Sequence, residues 1–160
     1  KNLYQVRAED RTKRIAGIIF RRLAVLSPEL REELITADSA AAKIIVLVSI
    51  MKTDLLFAEF MQQVFRKAVQ LGENELSAGE IKNFFDIKIA QSEVVSKFSD
   101  RTIAKLKQTY TRLLIDAGLI ESAQHKTILP VFVDYHIQNM FKNAGLLPYL
   151  SAVTGVEYEN

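Results

Sequence analysis

Apolar residues recur at three- and four-residue spacing along most of the chain, the period of helices that bury one face. The run after Asp54 is the clearest. Phe57, Phe60, Met61, Val64, Phe65 and Ala68 mark one stripe, and Gly72 stands where a helix ends in a left-handed residue. Asp54 suits the N-cap, because its carboxylate accepts free N–H groups of a first turn. Similar punctuation predicts helices over about 10–26, over 28–34 behind Ser27-Pro28, and over 39–51 behind Asp38 or Ser39. Ser77 and Glu80 have capping-box spacing and open a helix through about Ile89, with Ile81, Phe84, Phe85 and Ile89 inward. A short segment, Glu93–Phe98, precedes Ser99-Asp100, which caps a long helix ending at Gly118.

On that long helix Ile103, Leu106, Tyr110, Leu113, Leu114 and Ala117 share one face at ~100° per residue. Arg101, Lys105, Gln108 and Arg112 line up opposite, within about 60°. The period then changes. Leu119–Ser122, a polar turn over 123–126 and Thr127–Leu129 read as two short strands, ended by Pro130. Helices followed by a hairpin are the plan of a winged helix-turn-helix, whose last helix enters the major groove while the hairpin touches the backbone. The phrase Thr102-x6-Thr109-x3-Leu113-x4-Gly118-Leu119-Ile120 is similar to the end of such modules. Two short helices close the chain, near Asp134–Lys142 and from Pro148 to before Gly155, with Tyr149, Leu150 and Val153 packing back on the body.

The expected fold is therefore mainly α: a compact multi-helix domain with a winged helix-turn-helix-like segment and one short β-hairpin. An N-terminal helical part (1–75), a winged-helix-like part (76–130) and C-terminal helices (131–160) would form one compact unit. Composition agrees, with 49% hydrophobic and 25% charged residues, and with nine Gly and Pro together, few for a loop-rich fold. The 160-residue length is enough to bury a core without staples. There is no cysteine, which removes disulfides, thiolate catalysis and zinc-thiolate sites. The longest apolar stretch, Ala40–Met51, is interrupted by Lys43 and falls short of the ~20 residues of a membrane span. A cytoplasmic protein without membrane contact is expected. The chain starts at Lys1 rather than methionine and reads as a trimmed fragment.

Charge changes the picture more than composition does. The net charge is only +2, yet residues 1–26 carry a net +5 and residues 95–116 a net +3, while residues 54–94 carry −3. Two basic helical segments on neutral or acidic ground suit an anion-binding surface. On the first, Arg11, Arg14, Arg21 and Arg22 fall within about 100°, and Arg7 joins them if the helix starts early. Ile15, Ile19, Leu23 and Leu26 are expected to form its buried side, although Ile18 and Val25 fall among the arginines. The planar guanidinium fork suits phosphate oxygens. The competing reading pairs these arginines with Glu29, Glu32 and Glu33 inside the fold. Catalytic chemistry finds little support. Glu80, Asp86 and Glu93 are scattered, His125 and His136 lack an acid partner at telling spacing, and no phosphate-loop, GxSxG or HExxH motif occurs. No catalytic residue, metal, cofactor or small-molecule substrate is expected.

Several stretches in order resemble the BrxA family of bacterial BREX phage-defence systems. They are Arg11-Thr12-Lys13-Arg14-Ile15, Phe20-Arg21-Arg22-Leu23, Leu76-Ser77 with Asn83-Phe84-Phe85, Phe98-Ser99-Asp100-Arg101-Thr102 with Lys105-Leu106, and Leu113-Leu114-x3-Gly118-Leu119-Ile120. The resemblance spans roughly residues 11–130. It implies a mainly helical, non-enzymatic protein, similar in part to the NusB antitermination factor, that binds nucleic acid within a system pairing methylation-based self-marking with blocking of phage replication. The combined expectation is a double-stranded-DNA-binding accessory of such a system, with other defence proteins as partners. Arg11, Arg14, Arg21, Arg22, Arg101, Lys105 and Arg112 would grip phosphates and Gln108 would meet base edges. The alternatives are a protein–protein adaptor within that system and a NusB-like RNA binder.

Overall fold

Each expected N-cap is in place, and the helices follow from them. The computed structural model describes residues 3–159, with side chains described from residue 9 onward. Helix α1 spans Leu3–Ala24, beginning about two turns before the position expected from its apolar pattern. Ser27 accepts from the Leu30 N–H and Pro28 opens α2 (Pro28–Thr36). Asp38 accepts from the Ala41 N–H at 2.8 Å to start α3 (Ser39–Thr53). Asp54 accepts from the Phe57 N–H at 3.0 Å to start α4. That helix runs as Leu55–Phe60, widens into a π-helical turn at Met61–Phe65 and returns to α-geometry at Arg66–Gln70. Helices α5 (Ala78–Gln91), α6 (Asp100–Asp116), α7 (Tyr135–Asn143) and α8 (Leu147–Thr154) complete eight α-helices among the described residues.

One cluster of buried side chains runs from Leu26 to Val153 and joins α3, α4, α5, α6 and α8. α3 is buried on most of its circumference at Ile44, Ile45, Leu47, Val48 and Ile50, which explains why its apolar run was nearly continuous. α4 packs on α3, and α8 packs on both, with Gln62 of α4 donating to the Pro148 carbonyl at 2.9 Å. Gly155 ends α8 at φ +74°, and a Cβ there would stand 2.6 Å from Val69 Cγ1, so glycine is required both by conformation and by the close approach to α4.

Four expectations change. The two strands of the hairpin do not form. Antiparallel pairing occurs only as isolated bridges, Ile120 with Ile128 and Glu75 with Thr127, so three single-rung segments meet where two strands were expected. Leu129 donates to the Leu119 carbonyl, Glu121 to Thr127, and Ile128 to Asn74, but Pro130 and the tight Ser122–His125 turn stop the pairing from lengthening. Second, Ile15 and Ile19 are exposed rather than buried. Leu26 is buried and Leu23 half-buried as expected, but toward the start of α1 the half-buried positions are Ala16 and Ile18, with Arg22 and Val25 half-buried further on, and α1 packs on α3. Third, the inner arc of α5 continues from Ile81, Phe84 and Phe85 to Lys88, leaving Ile89 outside. Lys88 is tolerated there because its ammonium lies 3.1 Å from Glu59 and 5.5 Å from the centre of the Phe84 ring. Fourth, the Ser77 hydroxyl accepts from the Gly79 N–H, and Glu80 Oε2 is buried without a partner among the described residues, so the capping box is half closed.

Candidate nucleic-acid interface

The orientation of α6 is set from within. Tyr110 is fully buried, with its ring 4.9 Å from Phe57, 5.3 Å from Phe60 and 5.8 Å from Phe85 between centroids. Ile103 and Leu114 are buried on the same side. Burial pushes the Tyr110 hydroxyl far above the ordinary phenol value, with Asp54 and Glu59 adding to the effect, and the hydroxyl has no hydrogen-bond partner among the described residues. Tyr110 anchors α6 in the core. With that face locked, the opposite face must point outward.

Arg101, Lys105, Gln108 and Arg112 are all exposed on that outer face. They lie over about 16 Å of helix axis. Arg101 and Lys105 make no ion pair among the described residues. Arg112 Nε donates to Asp116 Oδ1 at 2.9 Å, an exposed pair one turn apart. Ser99 caps the helix start by accepting from the Thr102 N–H. The face therefore presents cations with one intervening amide and little internal neutralisation.

Tertiary structure extends this stripe with residues that the wheel did not single out. A groove of about 430 Å³ runs between the start of α5, the flank of α6 and the Glu121–Lys126 turn. Its polar lining is Lys107, Gln108, Thr111, Arg112 and Lys126, with no carboxylate. Lys107 Nζ lies 5.6 Å above the Phe85 ring, and Lys126 Nζ donates to the Ala123 carbonyl at 3.0 Å. The turn is held by reciprocal bonds in which the Ser122 N–H donates to the His125 carbonyl and the His125 N–H donates to Ser122 Oγ. A lysine next to Gln108 and another in a polar turn carry no local signal. Only the three-segment pairing brings them to the same groove.

The α1 residues behave differently. Arg11, Arg14 and Arg21 are exposed, and none of the ion pairs among the described residues joins them to Glu29, Glu32 or Glu33. Glu33 instead faces His136 at 3.3 Å. Arg22 is half-buried. Burial lowers its pKa and the charge of Asp54 works against that shift. The structure brings Arg22 to the C-terminal end of α6, where it lines a second groove of about 390 Å³ with Val46, Leu113 and Asp116. The side chain of Arg7 lies outside the described residues. Between the arginines of α1, Ile15, Ile19 and Phe20 are 45%, 51% and 72% exposed.

Among the described residues there is no cluster of three or more histidine, aspartate or glutamate side chains that could hold a metal. No helix among them is long and apolar enough to cross a membrane.

Comparison with known proteins adds the family. The chain is 39% identical over 143 residues to "BREX protein BrxA" of Bacillus cereus (strain H3081.97), covering 86% of this chain and 72% of that protein. It is 19% identical over 154 residues to "BREX protein BrxA" of Escherichia coli O9:H4 (strain HS), covering 96% of this chain and 72% of that protein. The fold is similar to the crystal structure of an uncharacterized protein from Magnetospirillum magneticum, with a TM-score of 0.72 at 17% identity over 85% of this chain and 72% of that one. The family model described as BrxA matches residues 1–145, nearly the whole sequence, and the chain belongs to the BrxA family.

Proposed function

We propose that this protein is a non-enzymatic, double-stranded-DNA-binding component of a BREX phage-defence system acting in the cytoplasm. Membership in such a system comes from the relatives named BREX protein BrxA. The observation that carries the DNA reading is the outer face of α6 with its neighbouring groove, where Arg101, Lys105, Lys107, Arg112 and Lys126 surround Gln108 and no carboxylate lines the groove. In this reading α5 and α6 act as the helical pair of a winged helix-turn-helix. α6 lies in the major groove, and the Glu121–Lys126 turn acts as a minimal wing on the backbone. Gln108 is the side chain of the stripe suited to a base edge, so most of the affinity comes from phosphates and sequence preference is weak.

Fluorescence anisotropy of a labelled duplex over a salt series tests this. About five phosphate contacts give a slope of log affinity against log salt of about −4 to −5. A flat response removes the mechanism. Single-stranded RNA in competition ranks the NusB-like alternative, since duplex recognition by α6 requires a groove that RNA does not offer.

A second reading, a protein–protein adaptor, is favoured by one specific observation: the exposed Ile15, Ile19 and Phe20 of α1. Replacing Arg101, Lys105 and Arg112 by Glu separates the two readings. Loss of duplex binding with capture of another BREX protein retained supports DNA binding through α6.

A further inference from the structure

We propose that the groove between the start of α5, the flank of α6 and the Glu121–Lys126 turn is a site for one unpaired nucleotide. This rests on the duplex-binding reading for the strand that would deliver the nucleotide, although the groove has its own chemistry. Its lining is polar at Lys107, Gln108, Thr111, Arg112 and Lys126 and apolar at Ala78, Ile81, Ile115 and Ala123. The volume of about 430 Å³ falls in the ~300–1,000 Å³ range of clefts that take small ligands.

The two halves of the lining demand different things of a ligand. Three cations with no carboxylate among them call for an anion. Four aliphatic side chains call for an apolar surface, and a bare phosphate would leave them uncovered. An aliphatic ligand would leave the cations without a counter-charge. A nucleotide meets both demands, with its phosphate on Lys107, Arg112 and Lys126 and a flat base over Ile81 and Ile115. Gln108 and Thr111 supply an amide and a hydroxyl for the polar edge of that base.

The cations are positioned in advance. Lys107 is seated over the Phe85 ring at 5.6 Å, and Lys126 is tied to the Ala123 carbonyl at 3.0 Å. Arg112 spends only Nε on Asp116, which leaves its two terminal nitrogens for the groove. A base that is paired and stacked must first be extracted from the duplex, so strand ends and single-stranded extensions are the preferred donors. Because a free nucleotide carries the same phosphate and base, both sources are tested.

The experiment compares three labelled probes at one salt concentration: a blunt duplex, the same duplex with a three-nucleotide unpaired extension, and the blunt duplex beside free deoxyadenosine monophosphate. The variant is Ala78→Tyr, which fills the groove from an exposed position in the first turn of α5 and keeps every cation. The expected result is that the extension tightens binding about tenfold, and that Ala78→Tyr abolishes this preference, read as the ratio of extended to blunt affinity within each protein. Lys107→Gln is expected to reduce the same preference. Binding of free deoxyadenosine monophosphate is read separately, from amide chemical shifts of Lys107, Thr111 and Ala123 in wild type and in Ala78→Tyr. Shifts that the variant abolishes, with no effect of the extension, assign the site to a free nucleotide. Equal binding of blunt and extended duplexes together with unmoved amides overturns the site and leaves the duplex-binding reading standing. Absence of binding to any DNA overturns that reading instead, and the amide shifts alone then decide the groove.

Discussion

α1 and α6 are both basic helices, and along the sequence they look like two copies of one idea. In the fold they differ. The cations of α6 stand on a face from which every large apolar side chain has been withdrawn, because Ile103, Tyr110 and Leu114 are held in the core. The cations of α1 are interspersed along the helix with Ile15, Ile19 and Phe20, which remain largely exposed. A hydrated phosphate backbone offers nothing to an isoleucine or a phenylalanine, whereas a protein surface does. Net charge alone therefore does not identify a nucleic-acid contact. What accompanies the charge on the exposed surface of each helix separates the two.

The comparison breaks most visibly under charge reversal. Replacing Arg101, Lys105 and Arg112 by Glu should weaken duplex binding by about a hundredfold or more near 0.1 M salt. The same reversal at Arg11, Arg14 and Arg21 should cost about tenfold or less, as expected for cations that contribute only long-range attraction. Anisotropy titrations of the two triple variants side by side decide it, and equal losses would erase the distinction between the helices.

Anchoring gives the next largest contrast. Tyr110→Ala empties the centre of an aromatic cluster and should destabilise the protein by about 3–5 kcal/mol. Ile18→Ala, on the half-buried arc of α1, should cost about 1 kcal/mol or less. Urea unfolding followed by circular dichroism measures both. A smaller effect sharpens the reading of the exposed α1 stripe. Ile19→Ser combined with Phe20→Ser should shift stability by no more than about 0.5 kcal/mol and leave duplex affinity unchanged, since neither side chain packs on the body.

The smallest effect is one of pH and lies outside both helices, in the first turn of α2. Hydrogen bonds from its own backbone N–H and from Ser27 hold the Glu29 carboxyl below its ordinary value of 4.5. A carboxylate favoured by the fold contributes stability that is present above 4.5 and lost as pH falls through the lowered value. Thermal unfolding between pH 6 and pH 3 should therefore show a slightly shallower acid decline for Glu29→Gln than for wild type.

Much of the fold was legible because its signals are local. Ser27, Asp38, Asp54, Ser99 and Asp134 each accept from a first-turn N–H, as capping chemistry requires of them. The stripe on α6 was legible for the same reason, because a cleanly two-faced helix has only one way to sit on a core. The end of α1 was legible, with Leu26 buried and Leu23 half-buried, but both of its arcs carry apolar residues, so periodicity alone could not choose between Ile15 with Ile19 and Ile18 with Val25. The hairpin was overstated because alternation in a short stretch says which residues can pair and not how many rungs will form.

What the sequence determined by itself was the set of helices, most of their starts and stops, the outward face of α6 and the family resemblance across most of the chain. These rest on interactions between residues no more than four apart, or on the 3.6-residue period. Tertiary structure alone decided which arc of α1 meets α3, that Lys88 is buried against Glu59, and that the 121–126 turn closes over the flank of α6 beside the start of α5. Those outcomes depend on which surfaces compete for one core and on pairing between segments about 50 residues apart, such as Glu75 with Thr127, and neither competition leaves a mark in any short window of sequence.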